Sequence, residues 1–197
     1  VFRAGGPALG FEQVVGSRFP AASNLFGTME RCRFLFRDTL PAVQKLVALK
    51  GDPAAALKDP LSVPATALNA LKALPRKVRS GPVCADQCRV SELPQIVGSP
   101  DDGGPFVTLP QVYTEHPDKS GPMGANLGMY RIQLGGNAYA QDREIGLHYQ
   151  IHRGIGVHQQ AWQERGEAMK VSVFVGGPPA HSLAAVMPLP EGLSELT

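Results

Sequence analysis

Asn126-Leu127-Gly128-Met129-Tyr130-Arg131-Ile132-Gln133 is the stretch whose reading decides the fold. Met129, Arg131 and Gln133 alternate with Tyr130, Ile132 and Leu134, so Leu127 to Leu134 reads as a strand with one polar and one apolar face. A second stretch, Leu147-His148-Tyr149-Gln150-Ile151-His152-Arg153-Gly154, belongs to a longer alternation. From Glu144 to His152, Ile145, Leu147, Tyr149 and Ile151 interleave with Glu144, Gly146, His148, Gln150 and His152. The period of two predicts a strand that presents His148, Gln150 and His152 on one face, with Arg153 just past its end. A third stretch, Pro188-Leu189-Pro190-Glu191-Gly192-Leu193-Ser194-Glu195, ends two residues before the chain does. Together the three offer an amide oxygen, an imidazole, a carboxylate and two arginines, a kit for one divalent cation and a phosphate.

His148 and His152 are four apart, which on a helix would let both bind one ion. The alternation says strand, where four steps cover about 13 Å, so at most one of them ligates a given metal. Tyr149 also stands where a zinc-protease motif needs its glutamate. Two polar-faced strands side by side would line a pocket, and arginine suits a phosphate or carboxylate because its planar fork donates two parallel bonds. Spacing alone leaves a second reading open, a pair of solvent-facing polar strands. Asn126, His152 and Glu195 as a set suit Mn²⁺ or Mg²⁺. Taken singly they read as a turn residue, a satisfied sheet histidine and a terminal acid.

Bulk properties narrow the classes. The chain has 197 residues, 43% of them apolar, and a net charge of +2. Its basic residues are scattered except in Pro75-Arg76-Lys77-Val78-Arg79, which reads as a solvated connector. The few aromatic residues do not interleave with basic ones, so nucleic-acid binding is not expected. No apolar run approaches the roughly 20 residues that span a bilayer. Three cysteines argue against a disulfide framework and for a reducing, cytoplasmic setting. Cys84 and Cys88 lack a second pair and read as ordinary thiols.

Eighteen prolines and 22 glycines demand short elements. Strands are expected over Pro7 to Val14 and Pro20 to Phe26. Thr28 is expected to cap a helix carrying Met29, Cys32 and Phe34. Asp38 or Thr39 should cap a longer one with Val43, Leu46, Val47 and Leu49 as its apolar stripe. Further helices are expected over Ala54 to Lys58 and Thr66 to Leu74. A boundary falls near 95–105, at the turn Ser99-Pro100-Asp101-Asp102-Gly103-Gly104. Beyond it the chain reads as β-rich, with strands at 106–109, 111–114 and 170–175 and helices after Gly156 and after Pro178 or Pro179.

Asn126 to Gln133 resembles the Asn-x-Gly-x-Tyr-Arg signature of the UbiD family of prenylated-FMN-dependent (de)carboxylases. Leu147 to Gly154 resembles that family's His-Arg-Gly motif. Gly176-Gly177-Pro178-Pro179-Ala180 and the run at 188–195 resemble its third and fourth motifs. Arg3-Ala4-Gly5-Gly6-Pro7-Ala8-Leu9 and Asn24-Leu25-Phe26-Gly27-Thr28 resemble its N-terminal domain. The resemblance implies an α+β chain, with an N-terminal α/β domain at 1–100 and a partial, flavin-reductase-like split β-barrel at 101–197. It implies decarboxylation of an aromatic or α,β-unsaturated carboxylic acid. Asn126, His152 and Glu195 would hold Mn²⁺ or Mg²⁺. Met129, Tyr130, Arg131, His148, Tyr149, Gln150, Arg153 and Gly154 would join Asn126 around the cofactor, and Arg131 would also face the substrate carboxylate. K⁺ would take backbone oxygens near Leu127 and from Ala184 to Met187.

In that family the proton-donating acid, the rest of the barrel and a C-terminal oligomerisation domain follow the fourth motif. The chain is therefore expected to be an internal fragment with little turnover alone, from a homo-oligomeric parent. Asp101, Asp102 and Glu115 read as loop or turn residues. Two rivals are a non-catalytic flavin-binding or scaffold module and a flavin-reductase-like oxidoreductase, although no dinucleotide fingerprint is present.

Overall fold

A computed structural model describes residues 2–51, 64, 68, 78–81, 84–119, 121, 124–187 and 194–196. The chain divides into two compact units, one of residues 1–12 and 20–76, the other of residues 13–19 and 77–197. Helix and strand are mixed, and the sheets are small and open.

In the first unit β1 (Leu9–Phe11) and β2 (Ala21–Ser23) pair antiparallel, Gly10 opposite Ala22. Both are shorter than the strands expected over Pro7 to Val14 and Pro20 to Phe26. Thr28 caps α1 (Met29–Leu35) as expected, its hydroxyl accepting from the Arg31 amide. The longer helix is α2 (Leu40–Gly51). Its Val43 and Val47, predicted to be buried, are exposed. Of the helix expected over Thr66 to Leu74 only Leu68 is described, in helical conformation, and the one over Ala54 to Lys58 lies outside the described residues.

In the second unit a three-stranded sheet has the order β4-β3-β7. Its centre, β3 (Gln111–Glu115), pairs antiparallel with β4 (Ala125–Gly128) and β7 (Val171–Phe174). A separate hairpin joins β5 (Arg131–Gln133) to β6 (Gly146–His148), with Arg131 opposite His148. The α3 helix (Gly154–Glu164) packs on β3 and β4. A short α4 (Pro179–Ala184) begins at the expected prolines. The core is Val112, Ile132, Leu134 and Ile155, with Val107, Tyr130, Leu147 and Tyr149 against it. Burying each aliphatic member contributes about 1.5–3 kcal/mol.

Three predicted strands depart from expectation, and each departure is informative. Leu127 to Leu134 is two strands in two sheets, because the Met129 amide leaves the ladder to donate to the Ala185 carbonyl at 3.0 Å. Phe106 to Leu109 forms no strand, only bridges from Phe106 to Ile96 and Gln133. The strand expected over Glu144 to His152 survives only at 146–148. A turn closed by Arg153 N–H to the Gln150 carbonyl, 3.0 Å, ends the alternation. Ile151, predicted to point inward, is 83% exposed. His148, Gln150 and His152 thus do not share a strand face.

The α3–β3 contact buries His158, whose Nδ1 lies 2.9 Å from Thr114 Oγ1 and whose ring meets His116 edge-on at 5.5 Å. Burial, then the charges of His116 and Lys119, push its pKa down from 6.5 to about 4. The folded state therefore takes up this proton less readily than the unfolded chain, and stability is full above pH 6.5 and falls as pH drops toward 4. Urea titrations at pH 7 and pH 4.5 are expected to show that loss, and His158→Gln, which keeps a partner for Thr114 without titrating, to reduce it. An unchanged pH dependence in His158→Gln would contradict the assignment.

Candidate functional site

Asn126, Gly128 and Tyr130 explain each other. Period two places Asn126 and Gly128 on one face of β4. Gly128 has no side chain, and the Tyr130 ring folds back into that space. A Cβ on Gly128 would lie 2.5 Å from the ring. The Tyr130 hydroxyl then accepts from Asn126 Nδ2 at 3.3 Å. The spacing of the first motif is the spacing of this contact.

Gly154 completes the arrangement from the second motif. It is the first residue of α3, and a Cβ there would lie 2.1 Å from Asn126 Oδ1. With its nitrogen turned to Tyr130, Asn126 aims its oxygen at the backbone of the α3 N-terminus. Asn126 is buried at 7% exposure, and its Oδ1 accepts no hydrogen bond among the described residues. With no donor to it among the described residues, this oxygen has the chemistry of a ligand for a hard cation.

Glu195 arrives from the third stretch. One of its carboxylate oxygens accepts the Leu127 amide at 2.9 Å. Asn126 and Glu195 are thereby brought together, one through its side chain and one against the next backbone amide. The remainder of the third stretch, 188–193, lies outside the described residues. His152 stands in the exposed turn two residues before Gly154, and the structure shows no contact of its ring with Asn126 or Glu195. Amide and carboxylate oxygens and an imidazole are donor types that suit a hard divalent ion.

The hairpin supplies the rest. Tyr130 meets Tyr149 edge-on at 6.3 Å, and burial pushes the Tyr149 hydroxyl pKa up. Gln150, His152 and Arg153 are exposed in the turn before α3. Arg131 lies over the Phe106 ring at 3.9 Å and is bridged to Asp102 at 2.8 Å. His148, opposite Arg131, meets the same ring edge-on at 6.4 Å. Nothing in the sequence singles out Asp102 or Phe106. The signal available is the Asp-Gly-Gly turn, which marks a bend and not what it faces. Cys84 and Cys88 are exposed free thiols.

Gly154→Ala is expected to displace the Asn126 amide and cost about 1–3 kcal/mol of stability, as overpacking does. Gly154→Ala combined with Asn126→Gly should recover most of that loss. Denaturant midpoints of the two variants check this, and a double variant no better than the single one would contradict the contact.

Comparison with known proteins bears on this arrangement. The sequence profile of the UbiD 3-octaprenyl-4-hydroxybenzoate carboxy-lyase Rift-related domain matches residues 75–197, and that of the corresponding N-terminal domain matches residues 1–50. A protein of Chlamydia trachomatis serovar D is 39% identical over 196 residues, covering 97% of this chain and 32% of the relative. A component of the 4-hydroxybenzoate decarboxylase of Chlamydia pneumoniae matches with the same identity and coverage. The chain spans about a third of the length of these curated relatives. In fold it is similar to the UbiD-class enzyme HmfF of Pelotomaculum thermopropionicum in complex with FMN. That match has a TM-score of 0.65 and 20% identity over 97% of this chain and 38% of that one. It is also similar to the closed form of Sedimentibacter hydroxybenzoicus vanillic acid decarboxylase, with a TM-score of 0.68 and 17% identity over 96% of this chain and 38% of that one. Among the described residues no helix is long and apolar enough to cross a membrane. With its N-terminal and Rift-related parts both matched in order, the chain belongs to the UbiD family, whose members are decarboxylases.

Proposed function

We propose that this chain carries the cation-and-phosphate end of a prenylated-FMN site in a carboxy-lyase acting on an aromatic or α,β-unsaturated acid. The single observation that carries the reading is the Oδ1 of buried Asn126, turned to the α3 N-terminus by Gly154 and Tyr130. Support from relatives is that one fold neighbour, HmfF, is seen in complex with FMN and, in an evolved form, with prenylated FMN. The split barrel over 101–197 would be the cofactor-binding part.

In this reading Asn126, His152 and Glu195 hold Mn²⁺ or Mg²⁺, and the ion neutralises a phosphate that would otherwise be costly to bury. Met129, Tyr130, Tyr149, Gln150 and Gly154 shape the cofactor's surroundings, with Arg153 and His148 at its polar edge. K⁺ takes backbone oxygens near Leu127 and Ala184 to Met187. Arg131 orients the substrate carboxylate so that the bond to CO₂ is aligned for breaking. The prenylated flavin, when bound, supplies the sink for the electron pair left behind. Partners are a small carboxylic acid and, for the whole protein, further copies of itself.

Titration of FMN into this chain with and without Mn²⁺ tests the reading. Mn²⁺ is expected to tighten binding at least about tenfold, or about 1.4 kcal/mol. Asn126→Ala and Glu195→Gln are each expected to abolish that gain while leaving weak metal-free binding in place. Binding indifferent to Mn²⁺ would favour a scaffold module, and NADH oxidation with plain FMN would favour a flavin reductase.

A further inference from the structure

Arg131 is held from two sides. The Phe106 face supports its guanidinium at 3.9 Å, and Asp102 Oδ1 accepts from Nη2 at 2.8 Å. Asp102 is itself fixed. Its other oxygen accepts the amides of Gly98 and Ser99 at 3.2 and 3.0 Å, so the turn cannot release the carboxylate without losing both bonds. The next residue is tied to the hairpin, since Gln133 Nε2 donates to the Gly103 carbonyl at 3.1 Å. The Asp102 side chain is 19% exposed, while that of Arg131 is 58% exposed. An anchored acid therefore grips a cation that still faces solvent.

An arginine has five N–H donors, and Asp102 engages one nitrogen of the three. A complete two-pronged edge of the guanidinium remains for another oxyanion. The Asp102 contact is thus compatible with a bound ligand and does not have to break to admit one.

We propose that Asp102 is a positioning residue: it holds Arg131 flat on Phe106 so that the free edge of the guanidinium meets a planar carboxylate, with His148 on the same ring. This rests on the reading above that Arg131 faces a ligand oxyanion. An unanchored arginine would lose rotamer freedom on binding, at a cost that the Asp102–Phe106 grip has already met. The ion pair alone, half in solvent, is too weak to be there for stability.

Asp102→Asn separates the grip from the turn. The asparagine oxygen still accepts the Gly98 and Ser99 amides, but its NH₂ faces Arg131 with donors. Removing a negative charge attracts all anions more strongly, so the readout is a preference and not a single affinity. Benzoate, inorganic phosphate and bromide are titrated into the 197-residue chain loaded with Mn²⁺. In Asp102→Asn the preference for benzoate over bromide is expected to fall about three- to tenfold. A fall confined to phosphate would place the cofactor's phosphate at Arg131 and overturn the carboxylate assignment. Arg131→Ala is expected to abolish the preference, and if it does not, the underlying reading of Arg131 fails. If Arg131→Ala abolishes it and Asp102→Asn leaves it unchanged, the positioning role alone is overturned. The NMR signals of the Arg131 side chain give a readout independent of binding. Over the Phe106 ring they are expected upfield in the parent chain and near solvent values in Asp102→Asn, with Asp102→Glu restoring part of the shift. Signals unmoved in Asp102→Asn would overturn the proposal even if no anion binds.

Discussion

Among the described residues β4 has a strand on one edge only, and the way its other edge is satisfied organises the region around it. The Leu127 amide donates to the Glu195 carboxylate, and the Met129 amide donates to the carbonyl of Ala185 after α4. An open edge with two unpaired donors in a buried place would be costly. Here a side chain from 68 residues downstream and the end of a short helix take those donors instead. All four residues of β4 are buried in consequence. The same closure brings the Glu195 carboxylate to the residue next to Asn126.

Absence of side chains does the second part of the work. Gly128 makes room for the Tyr130 ring, and Gly154 lets the α3 N-terminus approach the Asn126 amide. Both glycines keep ordinary backbone conformations, so what they provide is space. The result is an amide whose nitrogen is bound to Tyr130 and whose oxygen is left facing the first residue of α3. Orientation of that oxygen follows from packing before any ion is present, which is how a protein lowers the reorganisation needed on binding.

How much of this is legible in the sequence depends on range. Thr28 as a cap, Pro179 at a helix start, the Gln111 strand and the inward Ile132 and Leu134 follow from local rules and are found. Strand lengths are overread wherever a tertiary bond competes with the ladder. Met129 is drawn off by Ala185, and Gln150 to Arg153 close a turn in mid-alternation, leaving Ile151 outside. Period two cannot announce such a departure. Asp102 escapes a sequence reading for the same reason: its partner is 29 residues away, and a turn motif does not reveal which cation it faces. The motif glycines are visible as letters, but their reason needs the ring of Tyr130 and the oxygen of Asn126 in place.

The central proposal is that the Asn126 amide oxygen, the Glu195 carboxylate and the His152 imidazole enclose one divalent ion. Anomalous diffraction at the manganese edge, from crystals grown with Mn²⁺ and FMN, tests it most directly. The account predicts a single peak in coordination distance of Asn126 Oδ1, Glu195 and His152, with the FMN phosphate against it. A peak elsewhere, or one that lacks His152 or Glu195 in its coordination shell with FMN bound, would contradict it.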